Sequence, residues 1–235
     1  MTEYDLPEAF DRIAAMAREL HDTSQPESVL VDQVVQAAVR EVPGAQYAGI
    51  TLGHTNSGKV ETQATTHDYP VMLDAIQQRH LEGPCLSATW ERDIVEVSDM
   101  SAEKRWPKFA ADAIRVTPIR SMLCFRLFTS QKTLGALNLY AQAVDAFDEE
   151  SEQVGYVLAT HAALAWDSVR REVDFRSALS SRDVIGQAKG IIMERFQVNA
   201  VAAFNMLTRL SQESNTPVAV LAQKLAEQVS SGGRC

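Results

Sequence analysis

Apolar positions along the chain switch between two periods. Residues 7–20 place Phe10, Ile13, Ala14, Ala17 and Leu20 on one helical face, and residues 26–42 do the same with Val31, Val34, Val35, Ala38 and Val42. Pro26 suits a helix start, and Pro43-Gly44 a stop. The period then becomes two. Residues 47–52 and 60–66 read as strands joined by the turn Asn56-Ser57-Gly58-Lys59, a hairpin. A helix follows at 69–80, a turn at 82–85, a short helix at 86–90 and a strand at 94–97. Ser98-Asp99 and Trp106-Pro107 mark loop, with helix to about residue 116. Residues 121–129 and 134–140 make a last strand pair around Gln131-Lys132, and Phe147-Asp148-Glu149-Glu150 caps a long helix. The order predicts an α+β fold, one antiparallel sheet with helices on one face. The interior beneath residues 69–90 is expected to be a closed apolar pocket.

Between Gly155 and Gly186 neither proline nor glycine interrupts the chain. Leu158, Ala162, Ala165 and Val169 step by four, three and four, a heptad-like seam. The seam fits a helix packed on its own sheet and equally a helix paired with a second subunit. A helix over 150–180 that does both is expected. After it, Val184, Ile185, Ala188, Ile191 and Ile192 form one helical face, while Arg182 and Lys189 share another. Gly186 and Gly190 inside that helix cost about 1 kcal/mol each against alanine, which points to close approach by a packed helix or a ligand. Asn199 suits the N-cap of a next helix carrying Ala202, Ala203, Phe204, Leu207 and Leu210. Thr216 suits the cap of a third, with Pro217 at its first position and Val218, Leu221, Leu225 and Val229 as its stripe. Three short amphipathic helices thus close the chain.

Composition adds constraints. Hydrophobic residues make up 46% of the sequence and mean hydropathy is -0.15, enough for a core. No apolar run approaches the roughly 20 residues of a membrane span, so no membrane partner is expected. The acidic start Met1-Thr2-Glu3-Tyr4-Asp5 lacks a signal-peptide core. Three cysteines, an odd number, suit a reducing compartment, so a cytoplasmic location is expected. Net charge is -9, but it is unevenly spread. From residue 176 onward seven Lys and Arg outweigh four Asp and Glu, leaving the earlier residues at -12. The acidic block repels phosphate and the basic block attracts it.

Candidate chemistry is sparse. Cys85 stands in a turn before a short helix, where a thiol can become redox-sensitive or simply pack. Cys124 lies in the apolar run Met122-Leu123-Cys124-Phe125 and reads as core. His54, His67, His80 and Cys85 are spaced by thirteen, thirteen and five, which matches no compact zinc pattern. No nucleophile–base pair, phosphate loop or carboxylate pair stands out, so neither enzyme activity, nor a metal, nor a cofactor is expected. Asn205 and Arg209, four residues apart, share a face of the second C-terminal helix.

Two stretches carry resemblances. Glu82-Gly83-Pro84-Cys85, Asp99 with Arg105-Trp106-Pro107, Ile119-Arg120-Ser121, Leu134-Gly135-Ala136-Leu137-Asn138-Leu139-Tyr140 and Ala146-Phe147 stand in an order that resembles a GAF domain over about 8–166. The run Ile185-Gly186-Gln187-Ala188-Lys189-Gly190-Ile191-Ile192-Met193-Glu194-Arg195, with the later Ala203-Phe204, Leu207 and Ser211, resembles the ANTAR domain over about 177–229. The resemblances imply a sensor for an unknown small-molecule effector, joined by the 150–180 helix to a three-helix reader of structured RNA. They imply a homodimer that binds paired hairpin loops in nascent transcripts, preventing a terminator from forming or controlling translation. Arg182, Gln187, Lys189, Gly190, Asn205 and Arg209 are then the candidate RNA contacts, and Leu158, Ala162, Ala165 and Val169 the candidate dimer seam. Three other classes stay open: a DNA-binding regulator with the same sensor, a protein-binding sensor without nucleic-acid activity, and a thiol enzyme, which needs a reactive Cys85. Against the first, the third C-terminal helix carries only Lys224 as a cation, too little for a recognition helix.

Overall fold

The structure, a computed structural model, describes residues 14, 15, 17, 18, 20, 25–54, 59–86, 93–130 and 133–232, with side chains undescribed at 53, 54, 59 and 229–232. Most of the helix expected at 7–20, residues 87–90 of the expected short helix, residues 56–58 of the first expected turn and the turn at 131–132 lie outside these residues. The described chain falls into two compact units, Met1–Arg170 and Arg171–Cys235.

The first unit is built on five strands: β1 (Tyr47–His54), β2 (Lys59–Thr65), β3 (Ile94–Val97), β4 (Ser121–Phe128) and β5 (Thr133–Ala141). They pair in the order β2-β1-β5-β4-β3, every pairing antiparallel. Helix α1 (Glu27–Glu41) precedes the sheet, α2 (Asp68–His80) follows β2, α3 (Pro107–Val116) follows β3, and α4 (Glu149–Phe196) follows β5.

Helices were expected on one face, but both faces are covered. Leu123, Phe125, Leu127, Leu137 and Leu139 pack with Val31, Val34 and Val35 of α1 and with Leu158, Ala162 and Trp166 of α4. Met122, Cys124, Ala136 and Tyr140 point the other way, onto Leu73 and Ile76 of α2 and Phe109 and Ala113 of α3. The physical reason is in β4 and β5 themselves. They are continuous apolar runs, which a sheet wetted on one side would not tolerate. Gly155 lets α4 lie against the sheet, because a Cβ there would run into the Phe125 ring.

Helix α4 starts as the sequence predicts. Asp148 Oδ1 accepts from the Ser151 backbone N–H at 2.9 Å, and Ser151 Oγ donates to the Pro43 carbonyl at 3.0 Å. Its N-terminal half is tied to α1 by Arg170 Nε, which donates to Glu27 Oε1 at 2.7 Å. A long helix leading to three short C-terminal helices was expected; the first of those three is continuous with it, and α4 runs unbroken through Gly186 and Gly190 to Phe196. Two glycines weaken a helix without breaking it, and no proline interrupts this one.

In the second unit α4 ends at Gln197, which takes the left-handed conformation with φ 53°. Asn199 caps α5 (Ala200–Ser214), its side chain accepting from the Ala202 N–H at 2.9 Å. Asn215 ends α5 at φ 47°. Pro217 serves as the residue before α6 (Val218–Gly232) rather than its first position, its carbonyl accepting from the Val220 and Leu221 N–H groups. Three alanines, Ala188, Ala203 and Ala222, are fully buried where α4, α5 and α6 meet, beside Ile192 and Leu207. Small side chains at the contacts draw the helices close, and the resulting core is thin.

Candidate functional site

In the second unit, Ala188 and Ile192 face the core, so the neighbouring positions of α4 turn outward. Arg182, Gln187 and Gly190 are exposed and Lys189 is half-buried. Neither Arg182 nor Lys189 has an ion-pair partner among the described residues. A Cβ placed on Gly186 or Gly190 would find nothing within 4 Å, so the helix backbone there is bare within this unit. Lys189 Nζ stands 6.0 Å from the centroid of the Phe204 ring, which is 43% exposed. The two positions therefore meet across α4 and α5. Phe204 escaped the sequence reading because its spacing fits the apolar stripe of α5. The buried positions of that stripe are Ala203 and Leu207, and Phe204 sits at its edge.

Asn205 and Arg209 are exposed on α5, each two positions from Leu207 and therefore on the side away from the core. Arg209 Nε pairs with Glu213 Oε1 at 2.8 Å, a one-turn surface pair that contributes a few tenths of a kcal/mol at most.

In the first unit, the four residues of the proposed dimer seam are taken up internally. Leu158, Ala162, Ala165 and Val169 are at most 2% exposed and belong to the core shared by the sheet, α1 and α4. This corrects the expected seam: its heptad spacing marks the face that α4 lays on its own sheet. Large apolar residues of α4 that do reach solvent are Tyr156 and Leu164 in the first unit and Val173, Phe175, Leu179, Met193 and Phe196 in the second. Phe175 and Leu179, one turn apart in the second unit, share a face of the helix.

The face of the sheet under α2 and α3 holds a polar cluster where an apolar pocket was expected. Asp74 of α2 is 4% exposed. Its Oδ2 accepts from Thr51 Oγ1 at 2.8 Å and Thr62 Oγ1 at 2.7 Å, and its Oδ1 from Gln77 Nε2 at 3.2 Å. Antiparallel register places Thr51 opposite Thr62, so one carboxylate reaches both. Asn138 Nδ2 donates to Thr51 Oγ1 at 3.0 Å, while Asn138 Oδ1 is buried without a hydrogen-bond partner among the described residues. Burial raises the Asp74 pKa to about 6, against the opposing pull of its three hydrogen bonds.

Gln77 joins this cluster to Cys85. Its Oε1 accepts from the Cys85 N–H at 2.9 Å and its Nε2 donates to Cys85 Sγ at 3.0 Å. Burial pushes the Cys85 thiol well above its ordinary range, and burial likewise raises the Tyr140 phenol beside it. A nucleophilic or redox-sensing cysteine needs thiolate, and this environment disfavours it. In a Cys235→Ser variant, Ellman's reagent is expected to react with Cys85 and Cys124 at least about a hundredfold more slowly in native protein than in urea-unfolded protein, because reaction waits on opening. Fast stoichiometric labelling of native protein would show that the thiol is reachable after all.

Two of the histidines have structural work. His67 caps α2, its Nδ1 accepting from the Tyr69 N–H at 3.3 Å, and His80 Nε2 lies 2.8 Å from Asp112 Oδ2, linking α2 to α3. Among the described residues no helix is long and apolar enough to cross a membrane.

Comparison with known proteins places these two units. The family model described as GAF domain matches residues 24–167, and the model described as ANTAR domain matches residues 174–225. No curated protein sequence matches the chain. Solved structures share the fold of the first unit. The GAF domain of an Acinetobacter phosphoenolpyruvate-protein phosphotransferase superposes with a TM-score of 0.54 at 14% identity, covering 71% of this chain and 98% of that one. A domain of a two-component sensor histidine kinase protein from Sinorhizobium meliloti gives 0.52 at 16% identity, covering 65% and 98%. The free methionine-R-sulfoxide reductase of Neisseria meningitidis, solved with its substrate, gives 0.51 at 16% identity, covering 68% and 89%. At such identities the likeness is one of fold alone. By its two matched segments, the chain belongs to the GAF-domain family and carries, after its signal-sensing GAF domain, a C-terminal ANTAR domain of the RNA-binding antitermination regulators.

Proposed function

We propose that the protein binds paired RNA hairpins in nascent transcripts through the outward face of its ANTAR domain, under control of a small molecule held by its GAF domain. Bound in this way, it prevents a terminator hairpin from forming or, where the hairpin overlaps a ribosome site, controls translation. The observation that carries this reading is that Arg182 and Lys189, without ion-pair partners among the described residues, stand beside bare helix backbone at Gly186 and Gly190. A phosphate chain can approach such a surface closely, and cations without ion-pair partners are available to it. Gln187 and Asn205 offer exposed amides for base edges or 2′-hydroxyls, and Arg209 adds charge at the flank.

For the effector, the supporting observation is the Asp74 cluster. Asn138 Oδ1 is a buried acceptor without a donor among the described residues, and leaving such a group unsatisfied costs about 1–3 kcal/mol. A small molecule that donates a hydrogen bond there would recover it. A homodimer is part of the proposal, with the exposed pair Phe175 and Leu179 of the second unit as its contact in place of the occupied seam. Two protomers present two readers to two hairpins.

Lys189→Ala is expected to weaken binding of a two-hairpin RNA. It is also expected to make the log–log salt dependence shallower by about one unit per protomer. Thermal stability should move by about 1 kcal/mol or less, since among the described residues the side chain makes no ion pair and its ammonium stands at the edge of cation–π range from Phe204. Filter binding across a salt series checks both, and unchanged affinity with unchanged slope would place the RNA elsewhere.

A further inference from the structure

Phe204 is an aromatic ring left 43% exposed in a unit whose own buried core consists of Ala188, Ile192, Ala203, Leu207 and Ala222. It takes no part in that core. Above it stands the ammonium of Lys189, whose neighbours Gly186 and Gly190 leave the helix surface open. A flat apolar face, a cation beside it and a stretch of helix without side chains are the three elements by which proteins take up a base from a single-stranded loop. The ring stacks on the base, the cation holds phosphate, and the bare backbone admits the sugar. A duplex stem would offer phosphate to Lys189 but nothing to the ring, since paired bases are stacked on one another.

We propose that Phe204 is a stacking platform for one unpaired base of an RNA loop, with Lys189 holding an adjacent phosphate and the Gly186–Gly190 surface admitting the ribose. The proposal rests on the RNA-binding reading above and adds what is read: a splayed base, in addition to backbone charge. Stacking tolerates every base, so this site sets the requirement for an unpaired nucleotide and leaves base identity to neighbouring polar groups such as Gln187.

The test uses the full-length chain and hairpin RNAs with randomised loops, selected for binding to it. The selected RNA then carries 2-aminopurine at single loop positions. Unmodified protein is expected to quench 2-aminopurine at one position. Phe204→Leu, which keeps an apolar side chain, is expected to lose that quench and to bind roughly five- to a hundredfold more weakly, with the salt slope unchanged. Phe204→Trp restores both. Lys189→Ala changes the salt slope, and Lys224→Ala, which borders a separate apolar groove lined by Phe196, Met206 and Leu210, leaves the quench in place. If Phe204→Leu binds and quenches like the unmodified protein while Lys189→Ala is weakened, RNA binding stands and the stacking site is overturned. A change of oligomeric state in Phe204→Leu, seen by light scattering, would mean that the ring is covered by protein, and would overturn it too. If selection yields no hairpin at all, the RNA-binding reading itself fails, and this site with it.

Discussion

Replacing Phe175 and Leu179 together with glutamate is expected to leave the protein monomeric and to abolish tight binding to a two-hairpin RNA. Both side chains lie on the α4 segment from Arg171 onward, exposed at 59% and 45%. Neither supports a core of its own protomer, so the fold should survive the change. Four buried glutamates facing one another across a helix pair would oppose association, because each charge would lose water without gaining a partner. The loss of RNA affinity follows from avidity. When two readers engage two linked hairpins, the second contact is intramolecular, and joining them raises affinity by about a hundred- to ten-thousandfold without any new contact. Light scattering at micromolar concentration reports the first effect, and binding to one-hairpin and two-hairpin RNAs the second. One-hairpin affinity should stay where it was. A double variant that remains dimeric would put the pairing surface elsewhere. A monomeric unmodified protein that binds two hairpins would remove the dimer from the mechanism. The corresponding change at Ala162 and Ala165 is expected to unfold the first unit instead, since both lie in its core.

Asp74→Asn is expected to remove a large pH dependence from the stability of the GAF domain. The Asp74 carboxyl has a pKa of about 6 in the folded protein, against about 3.9 in an unfolded chain. The folded state therefore holds a proton that the unfolded state releases between those two values. Stability from this group is fully present below about pH 4, falls as pH rises to about 6, and is flat above. Two pH units correspond to about 3 kcal/mol, an order-of-magnitude figure equal to about a hundredfold in the unfolding constant. Other carboxyls titrate in the same window, so the informative quantity is the difference between unmodified protein and Asp74→Asn. Asparagine keeps the size of the side chain and can still bond Thr51 and Thr62, whose hydroxyls rotate to donate or accept. Urea unfolding at pH 4.5 and pH 8, followed by tryptophan fluorescence, measures that difference. Parallel pH profiles for the two proteins would show that the carboxyl is not held neutral by burial.

Much of the first unit was legible because strands and helices announce themselves by local period. The strand at 94–97 was placed to the residue, and the other strands to within two. Asn199 was read as a cap from its place before an apolar run, and the Asn199–Ala202 bond is what that chemistry provides. The charge difference between the two parts of the chain also needed nothing beyond the sequence. It separates a segment that repels phosphate from one that attracts it.

What the sequence left open, the tertiary structure decided. Leu158, Ala162, Ala165 and Val169 repeat at a spacing that suits any helix with one apolar face; only the presence of the sheet and α1 says which surface fills it. The long helix was expected, and its continuity through Gly186 and Gly190 follows because glycine lowers helix stability without removing a hydrogen bond. The Asp74 cluster gathers Thr51, Thr62, Gln77 and Asn138 from three strands and a helix, and no window of sequence contains it. Phe204 reads as core by period and becomes surface because α5 packs on Ala203 and Leu207, one turn of small and medium side chains, and leaves the larger ring at the edge. Local period fixes which residues are apolar on one face. Which of them are covered depends on what chain segments distant in sequence bring against that face, and burial is a property of the folded whole.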